Sequence, residues 1–278
     1  MNERKIFPAV LTIAGSDSGG GAGIQADLRT FSAFKVYGCS AVTAVTSQNP
    51  DEVRRVDVLP PEAVRSQLET VLDAFDVQFC KTGMLANREI IRCVAKIIAE
   101  RNLFSVIDPV MVSTSGVRLL EESAVSEMKN ELLPLAKWLT PNIPEAELLC
   151  NQKISSSADL TEAAMMIFRQ YNCNVVLKGG HLADSAAADD IVCYSGGLFR
   201  LSSPRITVAE NTAHGTGCTF SAALTAVLSC GKNWLQALAE AKAFVYGSLA
   251  ESVMLNHRFL QMYPPQKSYL DRINIEKL

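Results

Sequence analysis

The feature that most constrains this chain is an alternation. Short apolar runs rich in β-branched residues take turns with longer segments whose apolar positions recur at helical spacing. "VLTIA" (10–14), "CSAVTAVTS" (39–47), "VQFCKTG" (77–83), "FSVIDPV" (104–110) and "NVVLKGG" (174–180) read as buried strands. Helical patterns lie between and after them: from about Ala22 to Phe34, from Pro60-Pro61 to about Phe75, and over "NREIIRCVAKIIAE" with Asn87 as N-cap. Others cover "EESAVSEMKNELL", start at Glu145, cover "LTEAAMMIFRQY", start at about Gly217, and cover "NWLQALAEAKAFVYGSLAESVM". "DIVCYSGGLFRLSS" is two apolar runs about Ser195-Gly196-Gly197, the pattern of a β-hairpin. Strands buried on both faces, with helices interposed, make a mostly parallel sheet covered on both sides.

With 278 residues and no Pro/Ser/Gly-rich or strongly charged run to act as a linker, a single α/β domain over residues 1–278 is expected. The net charge of −3 and the scattered basic residues give no footprint for nucleic acid. The apolar stretches are strand-length or interrupted, so neither a membrane span nor a signal peptide is indicated. Eight cysteines form no CxxC pair, and only three histidines accompany them, which argues against a zinc cluster and for a reducing cytosol.

In sheets of this kind ligands bind outside the carboxyl ends of the strands, so the polar residues there carry the functional reading. GxxxxGK[ST], GxGxxG with its acidic partner, GxSxG and HExxH are all missing. The opening glycine segment "AGSDSGGGAG" (14–23) follows the first strand. A second, "NTAHGTGCTFSAALTAVL" (211–228), leads into an apolar helix. Gly215, Thr216 and Gly217 would present uncapped amides at the positive end of that helix, which suits either a bound phosphate or simply a tight helix start. Cys218 falls in the first turn, where a thiol pKa is expected to be depressed.

Asp108 and Glu145 follow buried strands and could hold Mg²⁺ directly or through water; each is equally at home as a cap or first-turn acid. Lys178 could neutralise phosphate charge or be a solvated turn residue. Gln48 offers both donor and acceptor to a flat heteroaromatic ring, or it bonds local backbone. Met84 could pack on such a ring or fill core. Asp27 could support the opening loop or be a surface charge.

Together, "LTIAGSDSGGGAGIQADLRTFSAFKVYGCSAVTAVTSQN", "KTGML", "DPVM", "LTPNIPEAELL", "LKGGH" and "NTAHGTGCTFSAAL" resemble the hydroxymethylpyrimidine/phosphomethylpyrimidine kinases of thiamine biosynthesis, within the ribokinase-like superfamily. The resemblance runs from about residue 10 to 255. It implies a three-layer α/β/α ribokinase-like fold with little or no lid, a cytoplasmic homodimer, and use of ATP with Mg²⁺. The implied substrate is 4-amino-5-hydroxymethyl-2-methylpyrimidine, phosphorylated to its monophosphate and then to the diphosphate. By the same resemblance Gln48 binds the pyrimidine, with Gly15, Asp27 and Met84 as neighbours of the ring. Gly215, Thr216, Gly217 and Cys218 form the anion hole, with Cys218 standing where most ribokinase-like enzymes have an aspartate base. Asp108, Asn142 and Glu145 lie on the Mg-ATP side, with Lys178 near the phosphates. Pyridoxine/pyridoxal kinase of the same superfamily is the alternative. The chain departs from the family wording AGSDPSGGAGIQAD: Ser18-Gly19 replaces Pro-Ser, which predicts a looser opening loop.

Overall fold

The computed structural model describes residues 6–111, 120–121, 123–180, 187–208 and 210–278. Among them is a ten-stranded sheet, ordered β12-β9-β8-β7-β6-β5-β4-β1-β2-β3. The strands are β1 (Ala9–Asp17), β2 (Tyr37–Gln48), β3 (Val53–Val58), β4 (Val77–Thr82), β5 (Phe104–Ile107), β6 (Trp138–Leu139), β7 (Asn174–Lys178), β8 (Ala187–Tyr194), β9 (Gly197–Pro204) and, after the short β10 and β11, β12 (Asn274–Lys277). The strands from β2 through β1 and β4 to β7 pair in parallel. Antiparallel β3 closes one edge, and the β8–β9 hairpin with β12 extends the other.

Alternation along the buried strands assigns residues to two cores. Leu11, Ile13, Ile107, Val175 and Leu177 face one layer, packed by α2 (Pro61–Ala74), α3 (Arg88–Glu100), α5 (Ile143–Cys150) and α6 (Ser157–Tyr171). Val106, Trp138 and Val176 face the other, with α7 (Thr216–Ser229) and α8 (Trp234–Ala250). Val10 joins α1 (Gly23–Ala33) and α7 on that second side. The result is three layers, helices on sheet on helices.

Three of the expected helices differ from the sequence reading. The run expected as one helix over 121–133 is α4 (Ala124–Glu127) followed by a π turn, Met128–Leu132, and a 3₁₀ turn, Leu133–Leu135. Pro134 lies in that 3₁₀ turn, and proline has no N–H to continue an α-helical ladder. Helix α5 begins at Ile143 rather than Glu145, because Asn142 is its N-cap and Glu145 completes a capping box. A small hairpin, β10 (Val253–Leu255) with β11 (Phe259–Gln261), follows α8, which ends at Ala250.

The chain runs outward from β1 through β2 to β3, then returns to β4 on the other side of β1. The β1/β4 pair is therefore the point at which strand order reverses, where a crevice opens beyond the carboxyl ends.

Candidate active site

The β1 side of the crevice is built by the opening glycine segment. Asp17, buried at the end of β1, accepts from the backbone amides of Gly19 (2.8 Å) and Ala22 (2.8 Å) and folds the loop around itself. His214 Nε2 lies 3.1 Å from its Oδ2. Burial opposes ionisation of Asp17, but His214 and these two amides hold its carboxyl below the usual carboxylate range. Ser18 Oγ accepts from the Gln48 backbone N–H (2.8 Å) and donates to the Gln48 carbonyl (2.9 Å). Arg29 donates to the Gly20 carbonyl at 2.7 Å. The opening loop is tied at several points. Serine at position 18 supplies two of those bonds, a hydroxyl's work that proline could not do.

Gln48 ends β2, its side-chain amide 3.0 Å from His214 Nε2 and 3.3 Å from Thr46 Oγ1. Gly15 and Met84 come together across the β1/β4 crevice: a Cβ at Gly15 would stand 3.3 Å from the Met84 sulfur. Asp27 is elsewhere. It lies fully buried in α1, accepts from Thr12 Oγ1 (2.6 Å), and pairs through both oxygens with fully buried Lys81 (3.0 and 2.9 Å). Its carboxylate is thereby turned to a counter-charge, as a buried carboxylate must be. Burial works against the Lys81 charge, yet Asp27 holds its ammonium above the ordinary lysine range, with Cys218 and Asp108 contributing.

The second glycine segment meets the first. Gly215 has φ +84° and abuts the Gly21 carbonyl so closely that a side chain there would overlap it. Helix α7 starts at Thr216 with no side-chain cap, and Thr216 Oγ1 turns back to the Ala213 carbonyl (3.0 Å). Among the described residues no side chain caps its first-turn amides, which suits them to an anion. Cys218 receives a hydrogen bond from the Gly23 amide and feels the Lys81 charge, yet burial dominates and pushes its thiol up to about 11. In place of the expected depression, desolvation raises the pKa of this thiol, with Asp27 and Asp108 adding to it against Lys81 and the Gly23 amide.

Beyond Gly217 lies the charged part of the site. A Cβ at Gly217 would stand 2.9 Å from Lys178 Nζ and 3.6 Å from Asp108 Oδ2. Lys178 Nζ donates to Asp108 Oδ1 at 3.0 Å, while Ser221 and Thr140 hydroxyls approach the same carboxylate at 3.5 and 3.4 Å. Burial opposes the Lys178 charge, but Asp108 and Glu145 keep it above the ordinary lysine range. Glu145 accepts from the Asn142 amide (2.8 Å) while Asn142 Oδ1 accepts from the Glu145 amide (2.9 Å). Burial raises the Glu145 pKa and Asp108 adds to it, with Lys178 working the other way. Asp108, Glu145 and Lys178 thus form one electrostatic unit, whereas Asn142 serves the helix start. His181, in the "LKGGH" run, lies outside the described residues. Among the described residues no group of three or more acidic, His or Cys side chains is arranged to hold a metal ion alone.

Sequence reading missed His214 and Lys81. His214 stands directly before Gly215 and Lys81 directly before Thr82-Gly83, so each was visible as a polar neighbour of a motif. Their partners, Asp17 and Asp27, lie far away in the chain.

Solved structures similar to this chain include small-molecule kinases. A pyridoxal kinase from Staphylococcus aureus in complex with ADP is 34% identical, with TM-score 0.88, covering 99% of this chain and 100% of that one. A phosphomethylpyrimidine kinase from Clostridium difficile is 37% identical, with TM-score 0.75, covering 86% and 98%. A hydroxymethylpyrimidine/phosphomethylpyrimidine kinase of Haemophilus influenzae is 46% identical over 245 residues, 87% of this chain and 90% of its own. The phosphomethylpyrimidine kinase model matches residues 17–262, and the chain belongs to that family.

Proposed function

We propose that the protein transfers the γ-phosphate of ATP to the hydroxymethyl group of 4-amino-5-hydroxymethyl-2-methylpyrimidine, and then phosphorylates the monophosphate to the diphosphate. The observation that carries this reading is the backbone contact of Gly215 with Gly21. It sets an uncapped helix start against the wall that bears Gln48, so a small ring and a phosphate would lie side by side.

In this reading Gln48 holds the ring, with Gly15 and Met84 as its floor. The amides of Gly215 to Cys218 receive the transferred phosphate, and Lys178 balances its charge. Catalysis is positioning and electrostatics rather than covalent chemistry. Cys218 faces the hydroxymethyl chiefly as a thiol, because desolvation holds its pKa above the ordinary thiol range. In its thiolate form it would accept the alcohol proton late; as a thiol it orients the alcohol. The donor set of Asp108 and Glu145 is hard oxygen, which fits Mg²⁺ that keeps most of its waters, arriving with the nucleotide. Bound there, Mg²⁺ would offset charge on the β- and γ-phosphates. Asp27 supports the site through Lys81.

The test is to incubate the protein with Mg-ATP and the pyrimidine alcohol and weigh the products. Mono- and diphosphate are expected; monophosphate alone removes the second step, and neither removes the reading.

A specific observation favours a second reading, pyridoxal kinase: the S. aureus enzyme matches nearly the whole chain, with a higher TM-score than the C. difficile phosphomethylpyrimidine kinase. Competing kcat/KM values for the pyrimidine alcohol and pyridoxal separate the two. We further propose a cytoplasmic enzyme, consistent with eight free cysteines. We propose a homodimer through edge strand β3, where Val56 and Val58 lie exposed near Val45 of β2; light scattering tests it.

A further inference from the structure

Hydrogen bonding around Gln48 does not balance until one group is turned. His214 Nε2 lies 3.1 Å from Asp17 Oδ2 and 3.0 Å from the side-chain nitrogen of Gln48. Asp17 also accepts from two backbone amides, so its carboxylate is an acceptor only. Facing that carboxylate, His214 Nε2 carries a proton. The amide nitrogen of Gln48 carries hydrogens too, and two N–H groups then confront each other.

A second conflict stands on the other side of the same amide. Thr46 Oγ1 is 3.0 Å from the Ser16 carbonyl and 3.3 Å from Gln48 Oε1. The hydroxyl hydrogen goes to the nearer Ser16 carbonyl, which leaves Thr46 Oγ1 and Gln48 Oε1 facing each other as acceptors. Half a turn of the Gln48 amide relieves both contacts. Its oxygen then shares the single His214 Nε2–H with Asp17 Oδ2 in a three-centre bond, its nitrogen donates to Thr46 Oγ1, and the threonine hydrogen stays with the Ser16 carbonyl. The oxygen and nitrogen ends of an amide are distinguished by such networks. The backbone of Gln48 is already tied on both its N–H and its carbonyl by Ser18. Side-chain orientation is the freedom that remains, and His214 removes it.

We propose that His214, held by Asp17, is a positioning residue that fixes which end of the Gln48 amide faces the substrate. It thereby selects a ring whose edge presents donor and acceptor in the matching order, as an aminopyrimidine does with its exocyclic amine beside a ring nitrogen. The inference rests on Gln48 being the residue that meets the ring. With the orientation fixed, the amide reaches the ligand already ordered, and binding does not have to select one of two states.

The test is steady-state kinetics with Mg-ATP and the pyrimidine alcohol. His214→Leu should raise the pyrimidine KM about tenfold, the scale of one lost hydrogen bond to a charged network, with the ATP KM within about twofold. His214→Gln, whose amide N–H reaches the position of Nε2, should restore most of the loss. His214→Asn, which is too short, should behave like His214→Leu. In a Gln48→Ala background, His214→Leu should change the pyrimidine KM by less than about twofold. A full His214→Leu effect in that background overturns the proposal, as does an equal rise in ATP KM or equal behaviour of the Asn and Gln variants. If Gln48→Ala raises the pyrimidine KM while His214→Leu does not, the inference fails alone. If Gln48→Ala leaves that KM unchanged, the ring-recognition reading fails and takes this inference with it. Should His214→Leu not fold, the Asn-against-Gln comparison decides.

Discussion

The two glycine segments start from similar sequence and end in different chemistry. The opening loop is fixed by side chains: Asp17 collects the Gly19 and Ala22 amides, Ser18 ties it to Gln48, and Arg29 holds Gly20. Its amides are largely spent within the protein. The later turn has no side-chain cap at Gly215 and begins α7 with its donors open. The difference teaches where an anion can go. Glycine content alone does not make a phosphate cradle; unspent amides at a helix start do. The first segment is a wall, and the second is a cradle.

Both rest on one buried pair, and removing it should give the largest effect. Asp27→Ala leaves Lys81 without its counter-charge and should cost about 3–5 kcal/mol of stability, measured by urea unfolding. A loss below about 1 kcal/mol would mean that the two segments do not share this support. Cys218→Ala tests the cradle alone and should lower kcat by about 10²-fold. An unchanged kcat would remove the proton-accepting role while leaving the amides. Gln48→Ala tests the wall alone: the pyrimidine KM should rise about tenfold while the ATP KM holds. Equal rises in both would erase the distinction between the two segments.

The smallest effect concerns pH. The folded-state pKa of Asp17 is lowered from 3.8, so its contribution to stability is present above that value and lost as pH falls through the lowered one. Asp17→Asn should therefore flatten the acid limb of the stability curve. An unchanged limb would mean that the wall does not depend on this carboxylate.

The parallel centre of the sheet was legible because its strands are buried on both faces and stop at polar residues, as Ile107 stops before Asp108. The sites at those ends followed. Strand β3 was not legible, since five of its six residues are exposed and no buried face imposes a period. The short β10, β11 and β12 were missed for the same reason: most of their residues lie partly or fully in solvent. Within the site, Gln48, Met84, Asp108 and Lys178 stand at strand ends and could be read in order. Asp27 could not, because its place depends on Lys81, 54 residues further along the chain. Cys218 was read from its helix position, whereas its pKa is set by what covers it. His214 needed both Asp17 and Gln48 to acquire meaning.

The division of labour between wall and cradle can be measured directly by hydrogen exchange, with the pyrimidine alcohol alone and with a non-hydrolysable ATP analogue alone. The pyrimidine should raise protection chiefly over residues 15–24 and at Gln48, and the nucleotide chiefly over the amides of 216–218. The reverse pattern, with the nucleotide protecting the opening loop and leaving 216–218 unchanged, would contradict the account.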